Sequence, residues 1–380
     1  MEKEQAIKFM HDLLRLMLSK KASDLFITAG YPPAMKIDGK MTPVSQQQLT
    51  AQHTVELVRA IMNDKQVGEF EASKECNFAI HPQGIGRFRV NAFIQQQRAG
   101  VVIRTITTQI PKFDDLKLPE VLKDVVMSKR GLVIFVGGTG SGKSTSLAAL
   151  IGHRNQNSYG HIITIEDPIE FQHQHRGCLV NQREIGRDTT SFKRALKYIL
   201  RQDPDVVLVG EMRDLETIEA ALTIAETGHF CIGSLHTNNA IQSINRIIDV
   251  FPAAQHDQIR AVLSFALEGV VTQALLPRAT GAGRVLVSEV LIPNAAIRNL
   301  IREDKLHQIY SQMQIGQAKY GMQTMNQSLC DHYIKKNITF EDAIGHTGEV
   351  DELKTMIVNA GGSLGNAPTA PTTGKPTPSR

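Results

Sequence analysis

The stretch LVIFVGGTGSGKSTSLAALIGHR (132–154) decides how the chain is read. A short β-prone run, LVIFV, leads into a glycine-rich loop, and a helix-forming segment follows. Residues 137–144 fit GxxxxGK[ST] completely, in the strand–loop–helix context that gives this pattern its meaning. The glycines let successive backbone N–H groups turn inward around phosphate oxygens, with the positive end of the helix behind them. The expected phosphate-binding residues are therefore Gly137, Gly138, Thr139, Gly140, Ser141, Gly142, Lys143, Ser144 and Thr145. Lys143 is placed to bridge the β- and γ-phosphates of a nucleoside triphosphate, and the Ser144 hydroxyl to ligate Mg²⁺. The alternative is a strand-to-helix turn that binds nothing.

Working outward, three more short apolar runs alternate with helix-length stretches: HIITIE (161–166), DVVLVGE (205–211) and FCIGSL (230–235). Runs of this kind, separated in this way, predict a mainly parallel α/β sheet within residues 120–290. DVVLVGE delivers Glu211 at the carboxyl end of a strand, where such sheets present catalytic acids. Glu211 is the candidate for orienting and polarising an attacking water. The commoner pattern places Asp before that Glu; here the position is Gly210, which weighs against direct metal ligation from this strand. TIEDPIEF (164–171) carries Glu166, Asp167 and Glu170, and its Asp-Pro step forces a turn. Metal or water organisation and an exposed acidic turn both fit that cluster. AETGHFCIGSLHT (225–237) holds His229 before a strand and His236 after it. A neutral His at a strand end can hydrogen-bond a γ-phosphate, whereas residue chemistry alone makes His229 a structural residue.

The remainder divides by composition. Residues 1–108 begin with an amphipathic helix and continue as short strands with Gly-Tyr-Pro-Pro and Asp-Gly turns, a helix near 51–63, and more strands: a small α+β domain with an antiparallel sheet. IPKFDDLKLP (110–119) interrupts the periodicity, so 109–119 is the expected linker and hinge. Residues 291–350 look helical. The Gly/Pro/Ser/Thr-rich end, within 351–380, is an expected disordered tail. The 380 residues hold 42 Lys and Arg against 38 Asp and Glu, a net charge of +4 too dilute to demand a nucleic-acid partner. Four scattered cysteines form no CxxC pair, which leaves neither a zinc ribbon nor a disulfide framework. The N-terminus does not read as a signal peptide, and no apolar run is long enough to span a bilayer.

Taken in order, these boxes resemble the secretion-type, hexameric RecA-like ATPases of type II secretion and type IV pili. TIEDPIEF, NQREIGRDTTSF, ILRQDPDVVLVGEMRDLETIEAALTIAETGH, GSLHTN, SDLFITAGYPPAMKIDGK and AIRNLIRE (296–303) are similar to the PilT/PilU-type retraction branch, over roughly residues 5–345. The proline-rich C-terminal extension is nearer the PilU side. The absence of paired cysteines and of a long N-terminal region distinguishes the chain from the PilB- and GspE-type assembly ATPases. The resemblance implies a RecA-like P-loop core after a PAS-like N-terminal domain, and ATP with Mg²⁺. It assigns Lys143 and Ser144 to the Walker A motif, Glu166, Asp167 and Glu170 to the acidic box, and Glu211 to an atypical Walker B. His229 and His236 become the histidine box, against the structural reading of His229. Arg87, Arg89 and Arg104 match arginines that reach the phosphates, in some states of a neighbouring subunit; as alternates on a strand, Arg87 and Arg89 share a face. A solvated strand face is the alternative for them.

The resemblance further implies a homo-hexamer, cytoplasmic and peripheral at the inner membrane, acting on a pilus platform protein, with a PilT-type ring as a candidate partner. It implies no nucleic acid. Two other readings compete. A RecA-like nucleic-acid translocase needs a basic, aromatic-bearing groove, and this chain has no Trp. An ATP-binding accessory module acting with a PilT ring would bind nucleotide without turning it over.

Overall fold

The computed structural model describes residues 2–37, 40–106, 109–281 and 283–364. The chain divides into two compact units, residues 1–109 with 170–172, and residues 110–169 with 173–380.

The first unit opens with helix α1 (Lys3–Ser19), followed by strands β1 (Asp24–Ile27), β2 (Ala34–Ile37) and β3 (Lys40–Pro43). Helices α2 (Ala51–Ala60) and α3 (Asp64–Ser73) precede β4 (Glu75–Ile80), β5 (Arg87–Gln95) and β6 (Arg98–Ile106). The strands form one antiparallel sheet in the order β3-β2-β1-β6-β5-β4. Met10, Leu14 and Met17 recur at helical spacing on α1 and pack with Leu57 and Val58 of α2 over Leu25, Phe88, Val90 and Ile103 of the sheet. Thr50 and Asn63 each close a capping box, which separates α2 from α3 where one helix was expected. The expected Asp38-Gly39 turn lies outside the described residues.

The second unit begins with α4 (Val121–Val126), β7 (Gly131–Val136), α5 (Lys143–Asn157), β8 (Gly160–Glu166), β9 (Cys178–Glu184) and α6 (Phe192–Ile199). It continues through β10 (Val206–Val209), α7 (Leu215–Glu226), β11 (Phe230–Leu235), α8 (Ala240–Asp249), α9 (His256–Ala266), β12 (Leu267–Pro277) and β13 (Arg284–Leu291). Helices α10 (Ala295–Arg302), α11 (Ile309–Ile315), α12 (Gln317–Tyr320), α13 (Met325–Ile334), α14 (Phe340–Gly345) and α15 (Val350–Asn359) complete it. The sheet order is β13-β12-β7-β11-β10-β8-β9, parallel except for the antiparallel β12–β13 pair. Alternation sends Leu132, Ile134 and Val136 of β7 to one face with α7–α10, and Val133 and Phe135 to the other with α4 and α5.

Two boundaries differ from the sequence reading. The expected linker is docked from Ile110 onward, because Phe113 and Leu118 are buried in the second unit's core. The expected tail begins too early: Leu353 and Ile357, one helical turn apart, bury against Val285, Val287 and Leu329, so α15 forms. The tail expectation for residues 365–380 lies outside the described residues.

Candidate functional site

Parallel pairing puts the carboxyl ends of β7, β11, β10 and β8 along one edge of the sheet, through the registers Val136↔Leu235, Val209↔Gly233 and Val209↔Ile165. At that edge an α/β sheet binds its ligands. The phosphate loop leaves β7 there, with Gly137, Gly140 and Gly142 all at positive φ and Gly142 standing directly before α5. Gly137 is obligatory in a second way: a Cβ on it would lie 2.4 Å from the Gln273 carbonyl oxygen. The Lys143 Nζ donates to the carbonyls of Gly137 (2.5 Å) and Gly138 (3.0 Å), which fixes the ammonium at the mouth of the loop. Ser144 is exposed in the first turn of α5, and Ser141 is buried with its Oγ unpaired.

Glu211 follows β10. Three bonds hold its turn: Gly210 N–H to the Ile165 carbonyl (2.8 Å), Met212 N–H to the Ser234 carbonyl (2.9 Å), and Ser234 Oγ to the Gly210 carbonyl (2.6 Å). Both carboxylate oxygens are engaged. Arg213 donates to Oε2 at 2.6 Å, and His236 Nε2 sits 3.1 Å from Oε1. Burial alone raises the pKa of this carboxyl, but Arg213, His236 and Lys143 together outweigh it and hold the group below its ordinary value. Glu211 is therefore an anion that orients rather than a strong base. Arg213, whose pKa is raised by its bond to Glu211, also feels the charge of Asp167. The arginine escaped sequence reasoning; its only signal was its spacing two residues past Glu211.

Gly210, where the commoner pattern has Asp, has a packing reason. A Cβ there would stand 3.0 Å from the Ile165 carbonyl oxygen and 3.2 Å from the Glu166 Cα. The acidic residues of the neighbouring strand are divided. Glu166 Oε1 accepts from Thr164 (2.6 Å) and Gln182 (3.1 Å), Asp167 is exposed beyond the end of β8, and Glu170 belongs to the first unit.

The two histidines are not brought together. His236 follows β11 at the phosphate-loop edge, while His229 precedes the strand, where its carbonyl accepts from Gly131 N–H at 3.0 Å. Six intervening residues at roughly 3.3 Å rise put it about 20 Å from the loop, and its ring pairs with Thr227 Oγ1 at 3.2 Å. Within its own chain His229 does not reach this site, because an extended strand separates its two ends.

In the first unit, Arg87 and Arg89 alternate on β5, and the register sets Arg89 directly opposite Arg104 of β6. The three arginines share one sheet face. Like charges face to face are unfavourable unless an anion offsets them. Arg104 bonds Asp24 at 2.7 Å, and Arg89 Nε donates to the Asn77 side chain at 3.4 Å.

The chain matches the family model of the type II/IV secretion system protein over residues 1–344. It is 52% identical to the type IV pilus ATPase PilU of Pseudomonas aeruginosa, covering 91% of this chain and 90% of that protein. It is 48% identical to the type IV pilus retraction ATPase PilT of the same organism, covering 87% and 96%. A crystal structure of the pilus retraction motor PilT with bound ADP superposes with a TM-score of 0.86 at 46% identity, covering 91% of this chain and 98% of that one. A complete nucleotide-binding loop, an acid held ionised beside it and this breadth of likeness make the chain a member of the type II/IV secretion ATPase family, in its PilT/PilU-type pilus retraction branch.

Proposed function

We infer that the chain is an ATP-hydrolysing motor of type IV pilus retraction, working as a homo-hexameric ring. The observation that supports the chemistry best is the meeting of Lys143, Glu211, Arg213 and His236 at the ends of adjacent parallel strands. ATP phosphates lie in the cradle of main-chain amides at 137–144, and the Lys143 ammonium exchanges its carbonyl partners for β- and γ-oxygens. Glu211, kept anionic, aligns water with the γ-phosphorus, and His236 contacts the γ-phosphate. The donors suit Mg²⁺, which prefers oxygen: the Ser144 hydroxyl would hold it, with Asp167 and Glu166 on the acidic side. Bound there, the ion would neutralise phosphate charge. Glu211 is not a direct ligand in this reading, since Arg213 and His236 take both its oxygens.

Arg87, Arg89 and Arg104 supply charge to the phosphates from the first unit of the same or an adjacent copy, and Glu170 acts from that unit as well. His229 serves away from the phosphates of its own chain. Among the described residues no helix is long and apolar enough to cross a membrane. In this reading the ring works at the inner membrane on the pilus platform protein, with a PilT-type ring as a second partner. Native mass with and without ATP, paired with phosphate release with and without DNA, tests this. Six-copy species with turnover indifferent to DNA support it; turnover that requires DNA overturns it.

A further inference from the structure

Strand β13 reads RVLVSEVL (284–291), and after Arg284 it is apolar apart from Ser288 and Glu289. The Glu289 side chain is 4% exposed. Burying a carboxyl without a cation is costly, and burial pushes its pKa up against the partial relief of two hydrogen bonds. Those two bonds both fall on Oε1. The Thr272 hydroxyl donates at 3.1 Å from the paired position on β12, and the Ala240 backbone N–H donates at 2.7 Å from the first turn of α8. The second bond is the informative one. The neighbours Val285, Val287 and Val290 are buried and apolar, so an acid at this position stands out by the bond it makes.

What it holds is the segment behind His236. Residues 236–239 join the end of β11 to α8, and the three that follow His236 are strapped to that helix. Thr237 Oγ1 pairs with Ser243 Oγ at 2.7 Å, Asn238 N–H reaches Gln242 Oε1 at 3.4 Å, and Asn239 caps Gln242 N–H at 2.8 Å. The loop therefore moves with the amino end of α8, and Glu289 ties that end to the sheet. A carboxyl at a helix amino terminus is also favoured by the helix dipole. Thr272 lies beside Val136 in the ladder, so the tie is level with the start of the phosphate loop. Glu289 also borders a cavity of about 890 Å³ whose lining includes Gly137, Gly138, Asn238, Asn239 and Gln242, so packing alone does not fix the carboxyl.

We propose that Glu289 is a positioning residue for the reaction: through Ala240 it sets the His236 loop, and so the contact between His236 and Glu211. The proposal rests on the reading that His236 and Glu211 act on the γ-phosphate. The test is a double-mutant cycle in kcat on the full-length chain, with KM for ATP and the binding of a fluorescent ADP analogue measured alongside. Glu289→Ala should lower kcat about tenfold, the worth of about one hydrogen bond, with ADP affinity within about twofold. The Glu289→Gln variant keeps an acceptor and should recover most of that loss. In a His236→Ala background, Glu289→Ala should cost little more. Thr272→Val, which removes the partner hydroxyl while preserving shape, gives the same pattern at smaller size and decides the matter if Glu289→Ala does not fold. An equal loss with and without His236, or a loss of ADP affinity at unchanged kcat, overturns the proposal. A fully active His236→Ala variant removes the underlying reading instead, and the proposal with it.

Discussion

At the residue scale the site depends on who neutralises whom. Lys143 and Arg213 supply positive charge to a carboxylate that burial alone would push toward neutrality, and Glu211 stays ionised as a result. The sign for pH follows from that direction. A carboxyl with a depressed pKa keeps its contribution throughout the ordinary carboxylate range and loses it only as pH falls further, so protonation of Glu211 sets in below that range. The kcat–pH profile should therefore show no acid limb from this group between pH 5 and 8, and replacing Arg213 by Ala should move such a limb upward. Lys143→Ala removes the charge-assisted bond to the β-phosphate and should weaken ADP binding roughly 10–100-fold while the thermal melt stays near wild type. A fluorescent-nucleotide titration measures that loss. Gly210→Asp, which restores the commoner acid, should destabilise the fold by about 1–3 kcal/mol through overpacking against Ile165 and Glu166. A denaturant melt checks that expectation.

At the scale of elements, the helix α10 inside AIRNLIRE is anchored rather than free on the surface. Ile297 and Ile301 are buried, and Arg298 donates to the carbonyls of Ser264 and Phe265, each at 2.9 Å, and to Glu268 at 3.0 Å. Those carbonyls end α9, where a cation satisfies unpaired acceptors. Arg298→Ala should cost about 1–3 kcal/mol in a denaturant melt, more than Arg302→Ala, whose exposed guanidinium donates to Asn299.

The elements legible in the sequence were those with punctuation. The glycine loop after LVIFV, the Asp-Pro step after HIITIE and the Gly-Glu after DVVLV each end a strand audibly. The β12 strand was missed because α9 runs straight into it: LSFALEGVVTQALL (263–276) has no Gly or Pro before Gly269, and an apolar stretch of that length suits helix or strand. Its partner β13 was missed with it, since a hairpin at the edge of a parallel sheet has no crossover helix to mark it; β9 at the opposite edge, parallel to β8, was missed because no helix lies between those two strands. The lone acid in VLVSEVLI was a visible signal that only the position of Ala240 explains.

For the whole molecule, an arginine supplied by an adjacent copy would have a measurable consequence. Arg89 lies on the first unit and Glu211 on the second. If Arg89 meets the phosphates of an adjacent copy, Arg89→Ala and Glu211→Gln proteins, each nearly inactive alone, should regain turnover when mixed and reassembled, because some interfaces then combine an intact Arg89 with an intact Glu211. Recovery read as phosphate release places the arginine in trans; no recovery places it in cis. The rate lost with such an arginine is roughly 10³-fold or more.

The central claim, that this chain grips a triphosphate at 137–144 and cleaves it with the help of Glu211, is tested most directly by steady-state phosphate release from the Glu211→Gln protein with its nucleotide affinity measured in the same sample. The account predicts affinity within about threefold of wild type and turnover lower by roughly 10²–10³. Turnover near the wild-type rate in a protein that still binds nucleotide contradicts it.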